Sequence, residues 1–240
     1  MMKIKKLYLH RILFFLFILP TLLTFNLLAE DKSAALEGVL TSMDNAAANF
    51  KNVEADFVWD QFTRAVEQTE TQIGKIYFRR VKNEIQMLAD VTGPLPSDRK
   101  SVLFANSKFQ LYQPGELDQV TIYDTSKKPE VESFLVLGFG GRGHDLSKSF
   151  DVTYAGSETV GGVATEKIIL VPKSEKVRQN FEQIILWIDT TKGISVQQQL
   201  IAYLSHDYRL AKYSNIRVNQ KLSDNDFKLK TTSKTKFLTP

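Results

Sequence analysis

The sequence contains no cysteine, and this absence excludes several kinds of chemistry. A chain without cysteine forms no disulfide, holds no thiolate-bound zinc, has no cysteine nucleophile and offers no cysteine for lipid attachment. Its 12 glycines and seven prolines in 240 residues are too few for a collagen-like or low-complexity protein. With 43% hydrophobic and 24% charged residues, the composition is that of a globular domain.

Outside its N-terminus, the chain also lacks an excess of basic over acidic residues. The formal charge of +4 is accounted for by residues 1–29, which contain Lys3, Lys5, Lys6 and Arg11 and no acidic residue. The rest of the chain carries 27 basic and 27 acidic residues. Because a surface without net positive charge has no field to attract a polyanion, we expect no nucleic-acid partner.

Residues 1–29 have the order of an export signal. A basic stretch precedes an apolar run, residues 12–29, that is interrupted by Pro20 and Asn26. This order is typical of a secretory signal peptide, so we predict cleavage after Ala29 and a periplasmic mature chain. The third residue before that cut is a leucine rather than a small residue, and an uncleaved membrane anchor is therefore the alternative.

A helical pattern opens the mature chain. From Ser33 to Phe50, apolar residues recur at helical spacing and form one stripe, and Ser33 is the expected N-cap. The stripe consists of Leu36, Val39, Leu40, Met43, Ala47 and Phe50. Because the opposite face carries Asp44 and two asparagines rather than a row of basic residues, we expect the helix to pack on a sheet and not on a membrane.

The remaining sequence alternates with the period of β-strands. Short spacings between the strands favour antiparallel hairpins over βαβ crossovers, and Gly161-Gly162 and Thr191-Lys192-Gly193 are typical of hairpin turns. A sheet of this size curls, and two helical elements are too few to cover it closely. We therefore predict an α+β fold with about ten antiparallel strands in a single domain over residues 30–240. Its sheet either folds on itself or leaves a groove for a ligand.

One insertion, residues 127–150, breaks the strand pattern. It contains a strongly apolar turn or two with Phe134, Leu137 and Phe139, followed by a glycine-rich run. We interpret this insertion as a lid and its glycines as a flexible hinge.

Residues suited to catalysis are sparse. The mature chain has only His144 and His206, and it lacks the spacings of metal sites and of hydrolase nucleophiles. Gly138, Gly140 and Gly143 have the G-x-G-x-x-G spacing, but no helix of useful length and no alternating βα units follow them. We predict a protein that is not an enzyme and has no metal or cofactor; a hydrolase that uses either histidine is the alternative.

Several short segments, in order over about residues 33–237, resemble those of the LolA-type periplasmic lipoprotein carriers. They are the helix-to-strand junction FKNVEADF (50–57), the strand GKIYFRR (74–80) with its basic pair, the hairpin SVLFANSK (101–108) with LYQP (111–114), and the late hairpin WID (187–189) with Gly193-Ile194.

This resemblance implies a curved, unclosed antiparallel half-barrel of about 10 to 11 strands with an apolar lining and an N-terminal helix. It also implies a helical lid over about residues 131–150 on the concave side. It implies a monomeric chaperone that takes lipoproteins, by their acyl chains, from an inner-membrane ABC transporter toward the outer membrane, where a receptor is a candidate acceptor. The family's outer-membrane receptor shares this fold but is itself acylated on a cysteine. Because this chain has no cysteine, the carrier role is favoured. A lipid-sensing or regulatory module of the same fold is the alternative.

The resemblance also places the family's lid-locking arginine at Arg80, although the proline that commonly follows it is Val81 here. The lid contacts would be Phe134, Leu137 and Phe139. Apolar side chains at strand positions are candidates for the acyl-chain-binding cavity, with ordinary core packing as the alternative for each. They are Phe57, Trp59, Ile76, Phe78, Ile85, Met87, Leu103, Leu111 and Ile122.

Overall fold

A computed structural model describes residues 19–82, 84–93, 95–127 and 137–240. Phe134 and the start of the predicted signal peptide lie outside these residues. Within them, no helix combines the length and the apolar character needed to cross a bilayer.

Helix α1, Leu19–Asn49, is longer than predicted, and Ser33 is an interior residue rather than its N-cap. Leucine and alanine before Ser33 favour the helix. The apolar stripe is confirmed, since Val39 and Met43 are each only 1% exposed.

Twelve strands and several short helices follow α1 in the described residues. The strands are β1 (Asn52–Thr63), β2 (Gln68–Val81), β3 (Glu84–Gly93), β4 (Lys100–Ala105), β5 (Lys108–Gln113), β6 (Gln119–Asp124), β7 (Phe150–Val160), β8 (Val163–Pro172), β9 (Phe181–Asp189), β10 (Ile194–Ala202), β11 (Tyr208–Val218) and β12 (Lys236–Leu238). Short α-helices lie at Leu146–Ser149 and Glu175–Arg178, and 3₁₀ turns at Arg64–Val66, Pro96–Asp98 and Asp224–Phe227.

All twelve strands belong to one sheet in the order β12-β6-β5-β4-β3-β2-β1-β11-β10-β9-β8-β7. Its pairs are antiparallel except β12 with β6, which is parallel. The strands β7 and β12 lie at opposite edges, so the sheet does not close on itself. The predicted fold class is confirmed; the short β12 is the strand beyond the number expected.

The two faces of the sheet differ. We call the face that contacts α1 the inner face and the opposite one the outer face. On the inner face, the stripe of α1 packs on a fully buried apolar cluster from β8 and β9, and this cluster is the main core. Its strand residues are Ile168, Leu170, Ile184, Leu186 and Ile188.

The outer face is polar beside β1 and apolar under the C-terminal segment. Arg217 Nη2 lies 2.6 Å from Glu54 Oε1 on the polar part. After β11 the chain crosses this face, and Phe227 packs on Leu88 and Leu103. The apolar residues of the outer face are therefore buried by a segment that lies more than 100 positions later in the chain.

Candidate functional site

Two rows of apolar side chains cross the inner face from β1 to β5. The residues of each row are cross-strand partners, so their side chains lie on the same face. The first row is Val53, Phe78, Met87, Phe104 and Phe109, and the second row is Ala55, Ile76, Ala89, Val102 and Leu111.

The first row is the more deeply covered. Val53, Phe78 and Phe104 are at most 1% exposed, and Phe139 packs in the same cluster as Val53 and Phe78. The second row is half-buried at every position from Ile76 on β2 to Leu111 on β5. It leaves a band of apolar surface that continues across four strands.

Most of the residues predicted for the cavity lie on the inner face. The pairing places Phe57, Trp59, Ile76, Phe78, Ile85, Met87 and Leu111 there. Leu103 pairs with Leu88 and Gln110, and Ile122 also pairs with Gln110. Both therefore lie on the outer face, which corrects the prediction for these two residues.

The error at β4 has a simple physical cause. Leu103 and Phe104 are adjacent and both buried, at 8% and 1% exposure. Because this strand is apolar on both faces, its sequence lacks the alternation of apolar and polar residues that would show which side chains lie on the inner face.

Residues 137–145, which we call the docked segment, lie on the inner face beside the first row. Leu137 and Phe139, two of the residues predicted to be lid contacts, are buried there at 4% and 3% exposure. The phenyl ring of Phe139 meets the Tyr213 ring edge-on, with centroids 4.8 Å apart. Burial raises the pKa of the Tyr213 hydroxyl, so it stays neutral beneath the segment.

Three donors on the inner face hold backbone carbonyls of the docked segment. Gln198 Nε2 donates to the Leu137 carbonyl at 2.6 Å, the Ser195 backbone N–H to the Gly138 carbonyl at 2.9 Å, and Arg80 Nη2 to the Gly140 carbonyl at 2.7 Å. The segment is thus attached to β2 and β10 by directional bonds as well as by two apolar side chains.

The glycines of this segment serve close packing where the sequence suggested a hinge. Gly140 has a φ of +72°, and a Cβ built there would lie 2.4 Å from Phe50 Cδ1. A Cβ at Gly143 would lie 2.4 Å from the Leu40 carbonyl oxygen. Only glycine lets the segment approach α1 so closely.

His144 joins the docked segment to α1. Its Nδ1 lies 2.6 Å from Asp44 Oδ2 and its Nε2 lies 3.1 Å from Glu37 Oε1. Hydrogen bonds to Asp44 and then Glu37 raise the pKa of His144. Partial burial raises the pKa of Asp44, but the hydrogen bonds and charge of His144, with Arg142 nearby, outweigh this and leave that pKa lowered.

The attachment through His144 is therefore expected to depend on pH. The stabilisation from His144, whose pKa is raised by folding, is complete below pH 6.5 and is lost as the pH rises through the raised value. The stabilisation from Asp44, whose pKa is lowered, is present above pH 3.8 and is lost as the pH falls through the lowered value. Between pH 3.8 and 6.5 both contributions are in place.

Amide hydrogen exchange of residues 137–145, corrected for the intrinsic rate, should consequently be faster at about pH 8.5 than at about pH 6. His144→Gln should remove most of this pH dependence. His206→Gln is the matched control, because His206 is an exposed histidine whose Nδ1 lies 3.0 Å from Glu182 elsewhere on the surface. An identical pH dependence in wild type and His144→Gln would contradict the role of His144.

The geometry of the histidines does not favour the hydrolase alternative. Both ring nitrogens of His144 face carboxylates of α1, so neither is left to take a proton from a nucleophile. His206 lies in an exposed turn.

The sequence reasoning did not single out Gln198 or Asp44. A weak signal for Gln198 existed, since it is a polar residue at an inward-facing position of β10, where its Nε2 meets the Leu137 carbonyl. The partner of Asp44 lies 100 positions away in the insertion, and nothing local to α1 indicates it.

Solved structures share the fold of this chain, whereas no family model and no curated protein matches it. An uncharacterised conserved protein from Thermus thermophilus matches with a TM-score of 0.55 and 9% identity, over 86% of this chain and 99% of that one. MucB matches with a TM-score of 0.52 and 12% identity over 82% of this chain. This chain spans 63% of the MucB chain, less than two thirds of it.

One further matched structure is described as a LolA superfamily protein. A LolA superfamily protein from Nitrosomonas europaea matches with a TM-score of 0.41 and 10% identity, over 80% of this chain and 97% of that one. At such identities, likeness concerns the fold alone.

Proposed function

We propose that this chain is a periplasmic chaperone that holds the acyl chains of lipoproteins against its inner face and carries them from the inner to the outer membrane. It does so without catalysis. The observation that supports this function best is the second row, a continuous band of half-buried apolar side chains beside a segment held by a few directional bonds.

The physical need for such a carrier is large. Each CH₂ group of an acyl chain costs about 0.8 kcal/mol when it is exposed to water. A lipoprotein with two or three chains therefore stays in its membrane unless a protein shields them. The second row offers apolar surface on four neighbouring strands, which suits a flexible hydrocarbon chain better than a rigid ligand of fixed shape.

The docked segment would act as the lid in this function. Arg80 would hold it closed on the empty protein by its bond to the Gly140 carbonyl, and the arrival of an acyl chain would displace it from the inner face. Because the displaced contacts oppose binding, the net affinity for cargo is modest, which permits transfer onward. The ABC transporter would deliver the cargo, and an outer-membrane receptor would accept it.

Two substitutions with the same chemistry on opposite faces test this function. Leu111→Asn places an amide in the second row, whereas Ile122→Asn places one on the outer face of the adjacent strand, and both residues are half-buried. We expect Leu111→Asn to weaken binding of a fluorescent diacylated lipopeptide about fivefold, which corresponds to about 1 kcal/mol of lost apolar contact. Ile122→Asn should leave the affinity unchanged.

The two variants should also have similar melting temperatures, which excludes unfolding as the cause. Equal effects of both substitutions on lipopeptide binding would argue against the inner face as the binding surface. Lipid binding combined with normal lipoprotein sorting in a deletion strain would instead favour the regulatory module of the same fold.

A further inference from the structure

The apolar character of the inner face ends abruptly toward one end of the strands. The third row of cross-strand partners consists of Phe57, Gly74 and Val91 on β1 to β3 and Lys100 on β4. On β5, Gln113 lies two residues beyond Leu111 and therefore on the same face. The change from Phe104 to Lys100 takes four residues, or about 13 Å along the strand. A ligand on this face therefore meets hydrocarbon at one end and polar groups at the other.

A pocket of about 380 Å³ lies at this polar end. Its volume is in the range of small-molecule sites. Gln72, Lys100 and Gln113 contribute from the inner face, and Arg99 and Glu70 contribute charge at the rim. The pocket is thus continuous with the face that carries the two apolar rows.

The charged groups of this pocket are free to meet a ligand, except for one. Among the described residues, Arg99, Lys100 and Glu70 form no ion pair. Asp98 is occupied locally, since its Oδ2 accepts a hydrogen bond from the Leu95 backbone N–H at 2.8 Å. Two cations and one carboxylate therefore remain.

A buried acceptor adds a further requirement. Gln72 Oε1 is buried and has no hydrogen-bond partner in the structure. An acceptor without a donor is costly to bury. Gln72 lines the pocket, so a turn of its side chain toward the cavity would bring this acceptor to a ligand with N–H donors and relieve the cost.

We propose that this pocket binds the headgroup of a zwitterionic phospholipid of the phosphoethanolamine class, with its acyl chains on the two apolar rows. The phosphate faces Lys100 and Arg99, and the ammonium group donates toward Glu70 and Gln72. An anionic headgroup would leave Glu70 without a partner, and an uncharged glyceride would leave all three charges unmatched. This inference rests on the proposed function for the apolar face and adds a second class of ligand to it.

The test compares short-chain lipids with identical acyl chains, measured by calorimetry below their micelle concentrations. The lipids are dihexanoyl phosphatidylethanolamine, dihexanoyl phosphatidylglycerol and dihexanoylglycerol. We expect the phosphatidylethanolamine to bind about fivefold more tightly than the glyceride, a modest gain because Arg99 and Glu70 are exposed.

Three variants separate the headgroup from the acyl chains. Lys100→Gln should lower the affinity for phosphatidylethanolamine about fivefold and leave that for the glyceride unchanged. Glu70→Gln should weaken the binding of phosphatidylethanolamine and strengthen the binding of phosphatidylglycerol. Lys108→Gln is the control, because Lys108 is an exposed lysine at the other end of β5.

The outcomes are distinct. Equal binding of phosphatidylethanolamine and glyceride, or an equal effect of Lys100→Gln on both, would overturn the headgroup pocket and leave the acyl-chain function standing. Stronger binding of phosphatidylglycerol than of phosphatidylethanolamine to the wild type would overturn the zwitterionic assignment. Absence of binding by all three lipids would overturn both proposals together.

Discussion

Arg80→Leu is expected to release the docked segment from the inner face and to slow the delivery of bound lipid. The substitution removes the bond from Arg80 Nη2 to the Gly140 carbonyl, which is 2.7 Å long and partly buried. A hydrogen bond from a charged donor contributes about 1.5–3 kcal/mol. Taking the lower end for a half-buried arginine, the released state becomes about tenfold more populated.

The consequence for cargo follows from competition. The docked segment and an acyl chain would occupy the same inner face, so weakening the segment strengthens the hold on the lipid. Transfer of a fluorescent diacylated lipopeptide from the protein to acceptor vesicles should therefore become about tenfold slower, with tighter retention at equilibrium.

Arg79→Leu is the matched control for this experiment. Arg79 precedes Arg80 on β2, and its side chain lies on the outer face, where the guanidinium stands 4.1 Å from the centre of the Phe227 ring. Its loss changes the net charge identically and leaves the docked segment in place. Unaltered transfer kinetics in Arg80→Leu, or the same slowing in Arg79→Leu, would refute the lid-locking role.

The sequence was sufficient where one face of an element is apolar and the other polar. In β1, Val53 and Phe57 are buried on the inner face, while Glu54 and Asp56 lie on the outer face and form ion pairs. The stripe of α1 was predicted on the same grounds. In such elements the pattern of apolar and polar residues shows directly which side chains face the core and which face away from it.

The sequence was insufficient where the environment is created by distant residues. Leu103 is buried by Phe227, whose position over β4 depends on the whole path of the chain after β11. Likewise, no local pattern relates the Gly140 carbonyl to a donor 60 positions earlier. Only the resemblance to the lipoprotein carriers directed attention to Arg80, and composition and periodicity did not.

The glycine-rich run shows a further limit. Flexibility and close approach both require glycine, so the sequence alone cannot distinguish a hinge from a tight contact. The structure distinguishes them by the φ of Gly140 and by its proximity to the Phe50 ring. That ring is itself held against Phe78, with ring centroids 5.9 Å apart, and has little room to move.

Gly140→Ala is therefore expected to detach the docked segment. Alanine at this positive φ costs about 1–2 kcal/mol, and overpacking against Phe50 costs about 1–3 kcal/mol more. The most direct probe is the Ser195 amide, which donates to the Gly138 carbonyl at 2.9 Å. A cost of about 2 kcal/mol should accelerate its hydrogen exchange at least about 30-fold, and a larger cost more.

Gly161→Ala separates the contact with Phe50 from the backbone cost. Gly161 also has a positive φ, +56°, but a Cβ there meets nothing within 4 Å. It lies in the turn between β7 and β8, so its alanine variant bears the cost of the backbone alone and leaves exchange at Ser195 unchanged. If Ser195 exchanges no faster in Gly140→Ala than in Gly161→Ala, the segment is not held by its fit against Phe50, and a flexible hinge becomes the better account of these glycines.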